Sequence, residues 1–180
     1  MLTIEVPSRE FYDERSNKFF TLKGRTIQLE HSLVSLSKWE AKWKKPFLSE
    51  KQMTKEQFID YVRCMTITQN VDPLVYHCIT DANIAAISQY INDPMTATTF
   101  SEEHKGGGRR EVITAELIYY WMIALNIPIE CQKWHLNRLL TLVRVCNIKN
   151  QPPKKMSKKD VMRRNKALNA ARKKKLNTHG

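Results

Sequence analysis

Acidic residues all but vanish after residue 148: Asp160 stands alone there against twelve Lys and Arg. Phe, Tyr and Trp stop earlier, at Trp134. The first lack concentrates +11 of the net +12 in residues 149–180, since residues 1–148 hold 18 bases and 17 acids. The second removes stacking on bases from that tail, so any contact with nucleic acid would run through phosphates and read no sequence. Large apolar residues are scarce there too, with Val161, Met162, Leu168 and Leu176 almost the whole set. So few cannot offset backbone ordering entropy, and the tail is expected to be solvated or docked on a partner.

Other absences narrow the function. The most apolar stretch, Leu117 to Leu125, is far short of the roughly 20 residues that span a membrane. Met1 to Val6 reads as a strand rather than the opening of a signal peptide. No C-x-x-C occurs. Cys64, Cys78, Cys131 and Cys146 are far apart in apolar patterns, which suits reduced thiols in a cytoplasm better than a disulfide framework. Cys131 and His135 are four residues apart, a zinc-compatible spacing on a helix, but the adjacent pair His77-Cys78 diverges and cannot complete a site. There is no G-x-S-x-G, and no Lys-Ser/Thr follows Gly106-Gly107-Gly108 to make a phosphate cradle. Glu30-His31 and Glu130 with His135 are acid–base pairs of a kind that chance supplies. The reading is of a protein that is not an enzyme and needs no metal or cofactor.

What is present divides into a body, residues 1–150, and a basic arm, residues 151–180. The fold class expected is mainly α (α+β): a helical body with a small N-terminal β element and one β-hairpin, followed by the arm. Leu2, Ile4 and Val6 alternate with polar residues, Phe19 to Leu22 can pair back across a polar loop, and Gly24 turns the chain into Thr26 to Glu30. From Ser32 the period becomes helical, with Leu33, Leu36, Trp39 or Glu40, and Trp43 on one face until Pro46. Thr54-x-x-Gln57 matches a capping box ahead of Phe58, Tyr61, Val62 and Met65. Asp72-Pro73 opens a short helix, and Thr80 or Asp81 caps one whose apolar face is Ile84, Ile87 and Ile91. Met95 to Phe100 and Arg109 to Ile113 are expected to form the hairpin around the three glycines. Thr114 caps the most hydrophobic helix, expected at the centre of the core. A last body helix runs from about Glu130 to Asn147 with Trp134 on its apolar face.

Trp39 and Trp43, ringed by Lys38, Lys42, Lys44 and Lys45, have two readings: a stacking platform for nucleic acid, or indoles in the core beneath wet lysines. The second is preferred, and Trp39, Trp43, Trp121 and Trp134 are all expected to be largely buried. In the arm, Gln151-Pro152-Pro153 makes a stiff exit, and Ser157-x-x-Asp160 resembles a capping box for a helix to about Leu176. Val161 and Leu168 would give that helix a thin apolar stripe. Arg163, Arg164, Lys166, Arg172, Lys173, Lys174 and Lys175 would supply the charge that meets an acidic protein surface or a phosphate backbone.

Three stretches carry a resemblance: Leu29 to Glu40 (LEHSLVSLSKWE), Pro94 to Phe100 (PMTATTF), and Ile118 to Ile123 (IYYWMI) with Trp134 to Leu140 (WHLNRLL). The ending from Asn165 to Arg172 and Thr178 to Gly180 adds to it. The chain resembles small proteins of the structural gene block of tailed bacteriophages and prophages, above all the tail assembly chaperones encoded beside the tape-measure gene. The resemblance implies a non-enzymatic morphogenesis protein of the host bacterial cytoplasm. It would bind the tape-measure protein until tail-tube subunits assemble around it, with homo-oligomers as a further option. The alternative it implies is a virion structural protein, a minor head, connector or tail component whose basic arm contacts DNA or neighbouring subunits.

Overall fold

The computed structural model describes residues 1–14, 17–50, 52–100, 112–151 and 158–177. It divides into two units, Met1–Ile148 and Lys149–Gly180. The first unit is a helical body carrying a small β element, and the class is α+β with helices predominating.

Four strands, β1 (Leu2–Val6), β2 (Arg9–Asp13), β3 (Lys18–Leu22) and β4 (Arg25–Leu29), form two antiparallel pairs, β1 with β4 and β2 with β3. Leu2 faces Leu29, Val6 faces Arg25, Arg9 faces Leu22 and Asp13 faces Lys18. The register therefore runs through the interruption at Pro7-Ser8 without slipping, and the pairs are the base and tip of one ribbon. Gly24 does not turn the chain. It lies opposite the Pro7 kink, where a Cβ would come within 3.0 Å of the Val6 carbonyl oxygen and the Ser8 nitrogen. Strand alternation buries Ile4, Val6, Ile27 and Leu29 in the base while Thr3, Glu5, Thr26 and Gln28 stay outside.

The base is sealed on both edges. The Glu30 N–H donates to the Met65 carbonyl at 2.9 Å and the Ile67 N–H to the Gln28 carbonyl at 2.8 Å. On the other edge Asn83 Nδ2 donates to the Glu5 carbonyl at 3.0 Å.

Among the described residues six α-helices follow: α1 (Leu33–Trp43), α2 (Lys55–Met65), α3 (Asp81–Asn92), α4 (Ala115–Ala124), α5 (Leu136–Asn150) and α6 (Lys158–Leu176), with short 3-10 turns at Phe47–Ser49, Pro73–Cys78 and Ile129–Lys133. Local chemistry sets their starts. Ser32 and Ser35 form a reciprocal cap on α1, and Thr54 and Gln57 do the same on α2. Thr80 and Thr114 accept from the N–H groups of Asn83 and Leu117 to cap α3 and α4. Helix α1 lies at the middle of the core: Leu33, Leu36 and Trp39 are fully buried, and α1 packs against α2 and α4. Tyr61, Met65, Ile87, Ile118, Met122, Leu136 and Leu139 complete the interior.

Four expectations are corrected. Met95–Phe100 holds no strand: Met95 takes a left-handed φ of 49° and its N–H donates to Asp93 Oδ1 at 2.7 Å, an Asx turn that diverts the chain after Pro94. The glycines and Arg109-Arg110 of that expected hairpin lie outside the described residues, and the second strand pair is β2–β3. Helix α4 is peripheral rather than central, burying Ala115, Ile118 and Met122 while Tyr120 and Ile123 are exposed. The last body helix starts at Leu136, because residues 129–133 wind as 3-10 turns and His135 bridges in extended form to Ser32. That leaves Trp134 exposed beneath the Arg138 guanidinium, 4.4 Å from the ring centre. Trp39 is buried as expected, whereas Trp43 and Trp121 are half-buried.

Candidate interaction helix

A catalytic reading would rest on the polar clusters of the body. His31, Tyr61, Ser35 and His135 meet at the start of α1. His31 Nδ1 lies 2.6 Å from the Tyr61 hydroxyl, and the two imidazoles touch edge to face with centres 5.0 Å apart. His135 Nδ1 accepts from the Asn137 N–H at 3.3 Å, which leaves Nε2 to donate to the Tyr90 carbonyl at 3.0 Å. Ser35 Oγ accepts the Ser32 N–H and donates to the Ser32 carbonyl. Every member is buried, and none lines a described cavity. Burial lowers His31 to about 3, with the neighbouring His135 a lesser cause. Burial also pushes the Tyr61 hydroxyl far up. A neutral imidazole held by a phenol that stays protonated is structural glue.

Other constellations dissolve as well. The Trp39 N–H donates to the Gln57 carbonyl at 3.0 Å, and the Trp43 N–H to Asp60 Oδ2 at 2.8 Å, with Lys42 on the other carboxylate oxygen. Both indoles are anchored through their N–H groups, and Trp39 is fully buried while Trp43 is half-buried. Lys55, Arg63 and His77 share a cleft of about 380 Å³ with Trp43, but Asp60 and Glu56 face the same space and offset its charge. Cys131 belongs to a 3-10 turn and His135 to an extended residue, so the zinc spacing is not realised on a helix turn. Among the described residues no group of three or more His, Cys, Asp or Glu is placed to hold a metal ion. The four cysteines are unpaired. No helix among the described residues is long and apolar enough to cross a membrane.

The second unit is different in kind. Helix α6 runs 19 residues, about 28 Å at 1.5 Å per residue, and buries no side chain. Nine of those residues are Lys or Arg, and Asp160 is the one acid. Asp160 lies in the first turn and Lys173, Lys174 and Lys175 in the last, so both ends complement the helix dipole. Pro152-Pro153 and Ser157 lie outside the described residues. At about 100° per residue, the sequence-derived residues separate onto two sides. Val161 and Leu168 share one side with Arg164, Arg172 and Lys175. Lys166, Arg163, Lys173 and Lys174 fall on the other, with Lys159, around Ala170. The apolar pair is 40% and 44% exposed against 74% for Met162, as befits side chains flanked by long basic stems. Asp160 and Arg164 are themselves engaged.

Two exposed apolar features lie outside the sequence-derived site residues. Phe11-Tyr12 and Phe19-Phe20 each put one ring on either face of the ribbon tip, a consequence of consecutive aromatics in a strand. Tyr120 and Ile123 make an apolar outer face on α4, foreshadowed by a helix that is hydrophobic all round. No family model matches the chain, and no curated protein or solved structure matches it significantly.

Proposed function

We propose that this chain is a non-enzymatic phage morphogenesis protein, a tail assembly chaperone that binds a helical tape-measure protein in the host bacterial cytoplasm. The observation that carries the reading is α6: a 19-residue helix with nine cations that buries no side chain, and a helix without packing of its own is marginal in water. An acidic partner supplies the counter-charge, and Val161 with Leu168 fixes the register on it. The exposed rings of the ribbon tip and the outer face of α4 add apolar contact area to the body. Co-expression with the tape-measure protein tests this. The full chain should keep that protein soluble, and Val161→Ser with Leu168→Ser should lose the effect although every charge remains. Retention of solubilising activity by the double variant would refute the assigned role of the stripe.

The five-cation side around Ala170 favours a second reading, a virion component whose arm contacts packaged DNA or neighbouring subunits. Affinity for duplex DNA would then fall steeply with salt, at a slope near −0.9 per phosphate contact, and would ignore Leu168→Ser. Mass spectrometry of purified virions separates the two: fixed stoichiometry supports the virion component, and absence supports the chaperone.

A further inference from the structure

The tip of the β-ribbon is built unlike its base. Both edges of the base are covered, by the Met65–Ile67 backbone and by α3. Among the described residues the tip is a two-stranded sheet with no third strand, and a hairpin of that size is marginal in water. Its ties to the body are Phe11 and Leu22, partly buried against the core, and a long contact from Arg9 Nη1 to the His77 carbonyl at 3.5 Å, while Asp13 is engaged within its own chain. The rings are also out in water: Phe19 is 69% exposed and Tyr12 48%, their centres 4.9 Å apart. Phe11 and Phe20 stack on the other face at 5.7 Å.

We propose that β2 pairs edge to edge with β2 of a second copy, antiparallel about Phe11, so that two tips form one four-stranded sheet. The sequence of β2, Arg-Glu-Phe-Tyr-Asp, matches opposite charges in that register while keeping all five residues of the strand paired. Arg9 falls opposite Asp13 of the second copy twice over, by the two-fold axis, and Phe11 falls opposite Phe11. Phe20, Phe11 and their two symmetry mates then make a continuous row of four rings, extending the stack already present in one tip. A parallel pairing would set Arg9 beside Arg9 and Asp13 beside Asp13, like on like. Pairing through β3 about Phe20 would set Lys18 against Leu22, with no charge matched. Neither β2 nor β3 contains proline or glycine to blunt the edge.

Light scattering on the full chain over a concentration series tests the pairing. The expected result is a concentration-dependent dimer. Arg9→Glu and Asp13→Lys should each weaken it by about tenfold or more, since each turns two attractive cross-strand pairs into repulsive ones. An equimolar mixture of the two variants should regain a heterodimer. In it the carboxylate introduced at position 9 of one chain meets the ammonium introduced at position 13 of the other, and the native Asp13 meets the native Arg9. Circular dichroism of each variant shows that the body is still folded. A chain that stays monomeric at all concentrations overturns the proposal, as does a dimer indifferent to both substitutions or a mixture that fails to recover.

Discussion

Glu40 shows how one buried side chain can tie distant parts of a chain. One carboxylate oxygen accepts the Phe47 N–H at 2.8 Å and the other accepts the Ala115 N–H at 2.7 Å, in the first turn of α4. Glu40→Gln keeps the shape but turns an NH2 group toward one of those donors. It should cost about 1–3 kcal/mol, the usual penalty for a buried group left without its partner, measurable by urea unfolding. His31 makes a prediction of the opposite kind, about pH. Its folded pKa of about 3 lies below the ordinary 6.5, so between these values the unfolded chain binds a proton that the folded one does not. The stability that neutral His31 contributes is complete above pH 6.5 and is lost as pH falls toward 3. From pH 7.5 to 5.5 the loss should be about 1.4 kcal/mol, and His31→Gln should remove that increment. A chain equally stable at both values would show that His31 is solvated.

Among the elements, those announced by a cap or a strict period were legible in the sequence. Thr54, Asp72, Thr80 and Thr114 all cap the turns they were expected to cap, and Ser32, where the helical period opens, caps α1. A side chain reaching the next turn's N–H is a local event. What could not be read was tertiary. Periodicity places Trp39 and Trp134 alike on apolar faces, yet Trp39 is sealed between Gln57 and Phe47 while Trp134 precedes α5. The bridge from Ser32 to His135 that delays that helix joins residues about a hundred positions apart. Substitution should separate the two tryptophans: Trp39→Ala should cost about 3–5 kcal/mol, and Trp134→Ala less than about 1 kcal/mol. Equal losses in thermal unfolding would mean that Trp134 is covered. Gly24 was legible as a glycine with a purpose, but the purpose is room for the facing strand. Only the register of the whole ribbon exposes that. In the arm, the sequence displayed the charge and the helix; the division of cations between two sides follows once the helix is present.

On the scale of the whole molecule, the unit Met1–Ile148 holds every residue of the core cluster. A chain ending at Ile148 should therefore unfold cooperatively with a midpoint within a few degrees of the full chain, and calorimetry of the two would check it. Cooperative unfolding lost on truncation would make the arm part of the fold. The charge of α6 has a further consequence, for how salt acts. With nine cations on about 28 Å of helix, neighbouring charges repel and oppose the helical form of the unbound arm; added salt screens that repulsion and raises helicity. The same salt weakens attraction to an acidic partner. For the proposed acidic partner, one ion atmosphere would thus work in two directions, readying the helix for binding and loosening it once bound. A plot of log affinity against log salt should flatten at low ionic strength instead of rising in a straight line, and a partner's carboxylates would do for the helix what salt does, in one place and with an address.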